Sequence, residues 1–364
     1  MTVHRRSRAS HLLGTGLLLA LPAAAAPAAP PPSPAATLRI VSDRVLPPSL
    51  AKAVDVRWAS DRTVYLPLLK EGTVEAAVDP GGPPPREMVA GSQAAGGWSF
   101  NSRIGASPAY LVVAGPIFGL TWRTIDNPMR RDEVFSVIED VDVAANRLLV
   151  IGTRKKGEEY APDGAIAWIG SLDKGLADLR PVLTDATGPG AHNMLACANY
   201  EMGAARFLPG GSFIVVPGVQ PGAYLYDANA RLVRTWDTAG LGLDTDCASL
   251  TETQVQKQWV DFDARTVWLN RRRTLEEILP LPQGPGLVVR TVVEGRPHWQ
   301  LKVLRGSGAV TSYDVPILPE TSRSHLRGDV RGARIVFVLY TEEEDMRTRR
   351  RPPSRLIVAL APSP

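Results

Sequence analysis

The sequence predicts an all-β protein of small four-stranded sheets repeated around a ring, and three observations predict it. Short apolar runs recur, each just after a polar or glycine turn: "TVYLPLL" (63–69), "AYLVVAG" (109–115), "RLLVIGT" (147–153), "SFIVVPG" (212–218), "LVVRTVV" (287–293) and "RIVFVLY" (334–340). Each run has a strand-like segment before it and one or two after it, and no sustained helical period follows the leader. The runs are apolar without alternation, so both strand faces are buried. A sheet packed between two neighbouring sheets meets that demand, and a ring of them leaves only short protected edges.

The chain has 364 residues, 44% of them apolar, with 32 Gly and 32 Pro. That composition suits a loop-rich globular protein with a sizeable core. Residues 1–25 stand apart: "MTVHRRSRASH" is a basic segment and "LLGTGLLLALPAAAA" a short apolar one ending in small residues. Together they read as a secretory signal peptide, which predicts a periplasmic or secreted protein. The apolar run is too short for a membrane span, and no later segment reaches that length. A Pro/Ala-rich spacer follows at 26–36. Loss of Arg5, Arg6 and Arg8 with the leader lowers Lys+Arg from 41 to 38 against 37 acids, so net charge does not support nucleic-acid binding.

The domain then runs from 37 to 364. "TLRIVSD" (37–43) is a strand without a local partner, while the last unit has "DVRG", "RIVFVLY" and "RLIVALA" but no fourth strand. The N-terminal strand is therefore expected to pair with the C-terminal blade and close the ring. The third unit reads as "VDVAA", "RLLVIGT", "AIAWIGS" and "LRPVLTD". The fourth fills 205–238, with Pro-Gly-Gly, Val-Gln-Pro-Gly and Asp-Ala-Asn-Ala at its breaks. "QWVDFDARTVWLN" (258–270) looks like a hairpin inserted near 251–274, or else the start of a seventh blade. The fifth unit reads as "EEILPLP", "LVVRTVV", "HWQLKVLRG" and "AVTSYDV". Six complete units predict a single β-propeller of six blades, with seven as the alternative.

The reactive residues fall on the expected loops. His192 and Cys197 precede blade four, Asp244, Asp246 and Cys247 precede blade five, and His325 precedes blade six. His298 lies between strands two and three of blade five. These loops open on one end of the ring, where binding and catalytic groups of such scaffolds are carried. In an exported chain Cys197 and Cys247 read as a disulfide, or else as two separate buried thiols. The bridge would close a loop of about 50 residues and stabilise by roughly 4 kcal/mol. His192, His325, Asp244, Asp246 and Glu201 offer ligands for a divalent ion or a catalytic site, but no short-range metal spacing joins them. No bound cofactor is expected. Asp55, Asp142 and Asp329 recur in first strands ("VDV", "VDV", "GDV"), where they line the channel or accept hydrogen bonds from a neighbouring blade. "TRKKGEEY" (153–160), "NRRRTLEE" (270–277) and "EEEDMRTRRR" (342–351) read as solvated, salt-bridged loops. Within them Arg154, Arg271, Arg272, Arg273 and Arg349 to Arg351 are candidates for an anionic ligand. No Gly-x-Ser-x-Gly elbow and no phosphate-binding glycine loop occurs.

"GAYLYDANARLVRTW" (222–236) resembles the strand–Asp/Asn turn–strand hairpins of NHL-like and TolB-like six-bladed propellers. "FLPGGSFIVV" (207–216) is similar to hairpins of arylsulfotransferase and quinoprotein propellers. In the arylsulfotransferase pattern a His precedes the hairpin; "GAARFLP" has none, which speaks against sulfotransfer. The expectation is a binding or scaffold module acting through its loop-rich end, a monomer whose partner is a protein or a small anionic ligand. The alternative is an enzyme at the channel mouth, either a metal-assisted, lactonase-like hydrolase or a divergent transferase.

Overall fold

The computed structural model describes residues 36–69, 71–90, 103–115, 119–124, 130–132, 135–156, 159–160, 165–183, 203–218, 222–244, 267, 269–342 and 351–363. Two strands come first, β1 (Ala36–Thr37) and β2 (Ile40–Val45). The first sheet holds β3 (Arg57–Trp58), β4 (Thr63–Leu68), β5 (Gly72–Ala77) and β6 (Arg86–Ala90). The second holds β7 (Arg103–Ala106), β8 (Tyr110–Gly115), β9 (Gly119–Thr124) and β10 (Arg130–Asp132). The third holds β11 (Phe135–Ala144), β12 (Arg147–Lys156), β13 (Glu159–Tyr160), β14 (Ala167–Ser171) and β15 (Arg180–Leu183). The fourth holds β16 (Ala204–Phe207), β17 (Phe213–Val216), β18 (Ala223–Tyr226) and β19 (Leu232–Trp236). The fifth holds β20 (Thr274–Leu281), β21 (Gly284–Val293), β22 (Arg296–Leu304) and β23 (Val310–Val315), and the sixth β24 (Ser324–Arg331), β25 (Arg334–Thr341) and β26 (Arg355–Leu360).

Apart from β13, a side branch on β12, the strands named in each sheet follow chain order and pair antiparallel, the arrangement of a β-propeller. The six apolar runs supply β4, β8, β12, β17, β21 and β25, each second in its sheet. The fourth sheet shows why the breaks fall where they do. Gly210 and Gly211, both at φ 83°, turn the chain between β16 and β17, a backbone region that glycine enters without a Cβ clash. Asp227 caps the β18–β19 turn, its Oδ1 accepting from the N–H of Asn229 (2.8 Å) and of Arg231 (2.9 Å).

The core lies between sheets. Val56, Trp58, Val64 and Leu66 of the first sheet pack with Val336, Val338, Leu356 and Val358 of the sixth. Equivalent clusters join the first and second, second and third, third and fourth, fourth and fifth, and fifth and sixth sheets. This is why the second strands are apolar on both faces. First strands touch one another in turn, β3 with β7, β7 with β11, β11 with β16, β16 with β20, β20 with β24 and β24 with β3.

At the outer edge of the sixth sheet β2 pairs antiparallel with β26, from Ile40 opposite Ala359 to Val45 opposite Arg355. The pairing segment differs from the expected 37–43. Ala36–Thr37 instead pairs parallel with β23 of the fifth sheet. Leu38 explains the break: its N–H donates to Asp314 O (2.8 Å) and its side chain joins the fifth–sixth core, so the strand restarts at Ile40. Most of the expected hairpin at 258–270 lies outside the described residues. Val267 and Leu269, read as strand, have helical backbone. No helix among the described residues is long and apolar enough to cross a membrane.

Candidate functional site at the channel mouth

First strands carry charge where their buried position calls for apolar side chains. Asp55, Arg57, Arg103, Asp140, Asp142, Arg206, Glu276 and Glu277 are all buried. Most of the carboxylates accept backbone N–H groups from the next sheet. Asp55 accepts from Ile104 (3.0 Å), Asp140 from Ala205 (2.8 Å), Asp142 from Phe207 (2.8 Å), Glu276 from Leu326 (3.1 Å) and Asp329 from Trp58 (2.9 Å). Hydrogen bonds of this kind contribute about 0.5–1.5 kcal/mol each, and more where the carboxyl is ionised. They clasp the first sheet to the second, the third to the fourth, the fifth to the sixth and the sixth to the first. Of the two readings that the sequence allows for Asp55, Asp142 and Asp329, acceptance from a neighbouring blade holds for all three. Asp142 and Asp329 also line the channel mouth.

Ion pairs cross the centre. Glu277 of the fifth sheet reaches Arg206 of the fourth (2.6 Å) and Arg57 of the first (3.4 Å). Arg206 also pairs with Asp140 (2.7 Å), and Arg57 with Asp55 (3.1 Å). Burial pushes the Asp55 and Asp140 carboxyls above the usual range; the Arg57 charge opposes that shift in both, and Glu277 adds to it. Burial likewise pushes Asp142 up to about 7, against the pull of Arg57 and of the Phe207 N–H.

Beside this network lies a cavity of about 420 Å³. Its wall takes residues from all six first strands, among them Arg57, Ala106, Asp142, Arg206, Pro280 and Asp329. Phe207, Leu208, Pro209 and Pro282 add an apolar rim. These residues sit at the ends of the first strands, where the chain turns into the second. In an antiparallel sheet that end is opposite the one carrying the fourth-to-first loops. The cavity therefore opens at the end away from the predicted rim.

At the predicted rim, His192, Glu201, Asp246, Cys197 and Cys247 lie outside the described residues, as do Arg349 and Arg350. Asp244 is bound to Arg273, whose Nη2 donates to Oδ1 at 2.6 Å and whose backbone N donates to Oδ2 at 2.9 Å. That hydrogen bond holds the Asp244 carboxyl below the usual carboxylate range. Arg271 is exposed, Arg272 half-buried, and Arg154 belongs to β12. His298 is exposed and stands two residues into β22 rather than in the preceding turn. His325 is the second residue of β24 rather than in the loop before it, buried, with Nδ1 3.1 Å from Glu276 Oε1 and its ring stacked on Tyr340. Among the described residues no cluster of three or more His, Cys, Asp or Glu could hold a metal ion.

The reading of "NRRRTLEE" as a solvated loop is corrected. Glu276 and Glu277 belong to β20 and are 1% exposed, because the run straddles the boundary between loop and first strand. Burial pushes Glu276 up, but the charge and hydrogen bond of His325, with Arg327 and Arg290, outweigh it and hold the carboxyl at about 2. Its stabilisation is complete above about pH 4.5 and is lost as the pH falls towards 2. Acid titration of Glu276→Gln, followed by fluorescence, is therefore expected to show a shallower loss of stability below pH 4.5 than the wild type. An unchanged acid limb would refute this. The sequence signal for the missed residues is a charge inside each apolar first strand: "VDVRW", "SRIGA", "EDVDVA", "AARFL", "LEEILPL" and "HLRGDVR".

No protein-family model matches the chain, and no curated protein matches it. Solved structures are similar in fold. A DUF4221-family member from Bacteroides vulgatus aligns with a TM-score of 0.52 at 10% identity, covering 89% of this chain and 97% of that one. A calcium-binding regucalcin from Agrobacterium tumefaciens gives 0.48 at 11% identity, covering 89% and 94%. A virginiamycin B lyase from Staphylococcus aureus gives 0.45 at 7% identity, covering 88% and 99%. The likeness to the Bacteroides protein is one of fold alone.

Proposed function

We propose that the protein is an exported propeller of six blades, closed by β2, that binds a small molecule at the channel mouth between its first-to-second-strand turns. One observation carries the binding reading: a cavity of about 420 Å³ walled by every first strand, with two buried arginines and two carboxylates among apolar and proline side chains. A mostly apolar wall with a few convergent polar groups is what small-ligand sites share. Export rests on the basic and apolar segments at 1–25. The six-blade ring rests on the unbroken succession of first-strand contacts from β3 round to β24 and back.

Capture of metabolites by the full chain, read by mass spectrometry, tests the binding site. Ala144 is half-buried on the cavity wall, so Ala144→Trp fills the mouth. A compound retained by the wild type and lost by the variant is expected; identical retention would sink the reading. A second reading, a hydrolytic enzyme at the same mouth, is favoured by the Asp142 carboxyl, which titrates near neutrality where a proton can be handed to a ligand. Turnover of a captured compound that Asp142→Asn abolishes would separate catalysis from binding alone.

Closure has its own test. Deleting residues through Val45 strips β26 of its ladder partner and removes Leu38 from the core. The melting temperature is expected to fall by several degrees, and an unchanged melt would count against closure by β2.

A further inference from the structure

A second cavity, of about 380 Å³, lies between the fourth and fifth sheets, at the end where first strands turn into second. Leu208, Leu225, Trp236 and Leu304 belong to the core between these sheets and form its floor. Arg234 and Trp236 share one face of β19, so Arg234 points the same way, toward the fifth sheet. Its Cζ stands 5.6 Å from the centre of the Trp236 ring, and its Nη1 donates to Gly306 O in the turn between β22 and β23. The guanidinium therefore bridges the two sheets at the groove. Nε and Nη2 of Arg234, and all three guanidinium nitrogens of Arg305 on the same wall, have no hydrogen-bond partner among the described residues. Both side chains are half-buried, and none of these nitrogens is closed off from solvent. No carboxylate lies in the wall, and no acid among the described residues pairs with either arginine. The junction of the sixth sheet with the first is different. There Arg334 also stands over a tryptophan, Trp58 (5.2 Å), and donates to Asp61 O (3.3 Å), but Asp79 pairs with it (3.6 Å) and Asp61 pairs with Arg331.

We infer that the groove between the fourth and fifth sheets binds an amphipathic organic acid, its anionic group on Arg234 and Arg305 and its hydrocarbon along Leu208, Leu225, Trp236 and Leu304. Two cations without counter-charges attract an anion, and free guanidinium donors fork well onto its oxygens. The leucine and tryptophan floor, extended by Pro209, Pro282 and Pro285, gives a hydrocarbon body a surface that an inorganic anion does not use. The volume falls in the range of small-ligand sites, about 300–1,000 Å³. This site goes beyond the small-molecule reading of the channel mouth and does not rest on it. The two cavities have Leu208, Pro209 and Pro282 in common, and the mouth adds carboxylates that the groove lacks.

Calorimetric titration of the full chain with octanoate and 4-phenylbutyrate, and with octanol and octylamine as neutral and cationic contrasts, tests the inference. Saturable binding of at least one acid is expected, weakened at least tenfold when Arg234→Gln and Arg305→Gln are combined. Arg305→Glu alone reverses one charge without touching the bridge to Gly306, so it keeps the test valid where an Arg234 variant fails to fold; it too is expected to weaken the acid at least tenfold. Ser212 stands on the same strand face as Ile214 of the fourth–fifth core, so Ser212→Trp fills the groove and is expected to abolish binding. Ala144→Trp, which fills the channel mouth instead, should leave the affinity unchanged. No saturable binding of either acid, equal affinity in the charge variants, or octanol or octylamine binding as tightly would overturn the inference. Loss of the acid in Ala144→Trp with retention in Ser212→Trp would also overturn it, by moving the ligand to the mouth, and would leave the channel-mouth reading standing.

Discussion

Glu277→Ala is expected to lower the free energy of unfolding by about 3–5 kcal/mol, because removing one member of a buried ion network strands the others. Glu277 is 1% exposed and is the carboxylate shared by Arg57 and Arg206. Without it each guanidinium keeps a single acid, Asp55 or Asp140, whose own protonated form burial already favours. The Gly328 N–H loses its weak contact with Glu277 as well (3.5 Å). Glu277→Gln retains an acceptor and most of the volume, so it should fall between wild type and alanine. Urea denaturation at pH 7 reads all three. A loss below about 1 kcal/mol for the alanine variant would show that the network contributes little, as surface pairs do.

A second large effect belongs to Asp142 and takes the form of a pH ramp. Burial raises this carboxyl from 3.8 to about 7 in the folded protein. The native state therefore holds a proton that the unfolded chain gives up. Stability from this group is full below about pH 3.8 and is lost as the pH climbs to about 7, a span worth roughly 4 kcal/mol. Asp142→Asn has no such ramp, and its side-chain oxygen can still accept the Phe207 N–H. Between pH 4 and pH 7.5 the variant should gain on the wild type by a few kcal/mol in denaturant midpoint analysis. Parallel pH curves for the two proteins would exclude the shift. The window overlaps that of Glu276 only between about pH 3.8 and 4.5, so the two titrations are separable.

The fold was legible because its physics is local and repeated. A strand flanked by two sheets must be apolar on both faces, and six runs of that kind stand out against turn residues such as Pro209–Gly211 and Asp227. The start of β2 was misplaced by three residues because the inward turn of Leu38 depends on a core built from the far end of the chain. The candidate site was only half legible. Asp55, Asp142 and Asp329 drew notice by their repeated motif, whereas Arg57, Arg206 and Glu277 did not. The partners in that network are 220 and 71 residues apart, and a lone charge beside apolar neighbours carries no spacing signature. Mixed charge at 270–277 resembled a solvated loop because strand and loop meet inside it. The His and Cys candidates fall on long loops expected at one end of the sheets, while the described cavity is framed by short turns at the other.

The pairing of Ile40 with Ala359 has a bearing on biosynthesis. Translation makes β2 long before its partner β26, so the nascent polypeptide carries an unsatisfied strand while the intervening sheets are made. The sixth sheet assembles only when Arg355–Leu360 has left the ribosome. Contacts this distant in sequence slow folding, and an edge held open during synthesis invites aggregation.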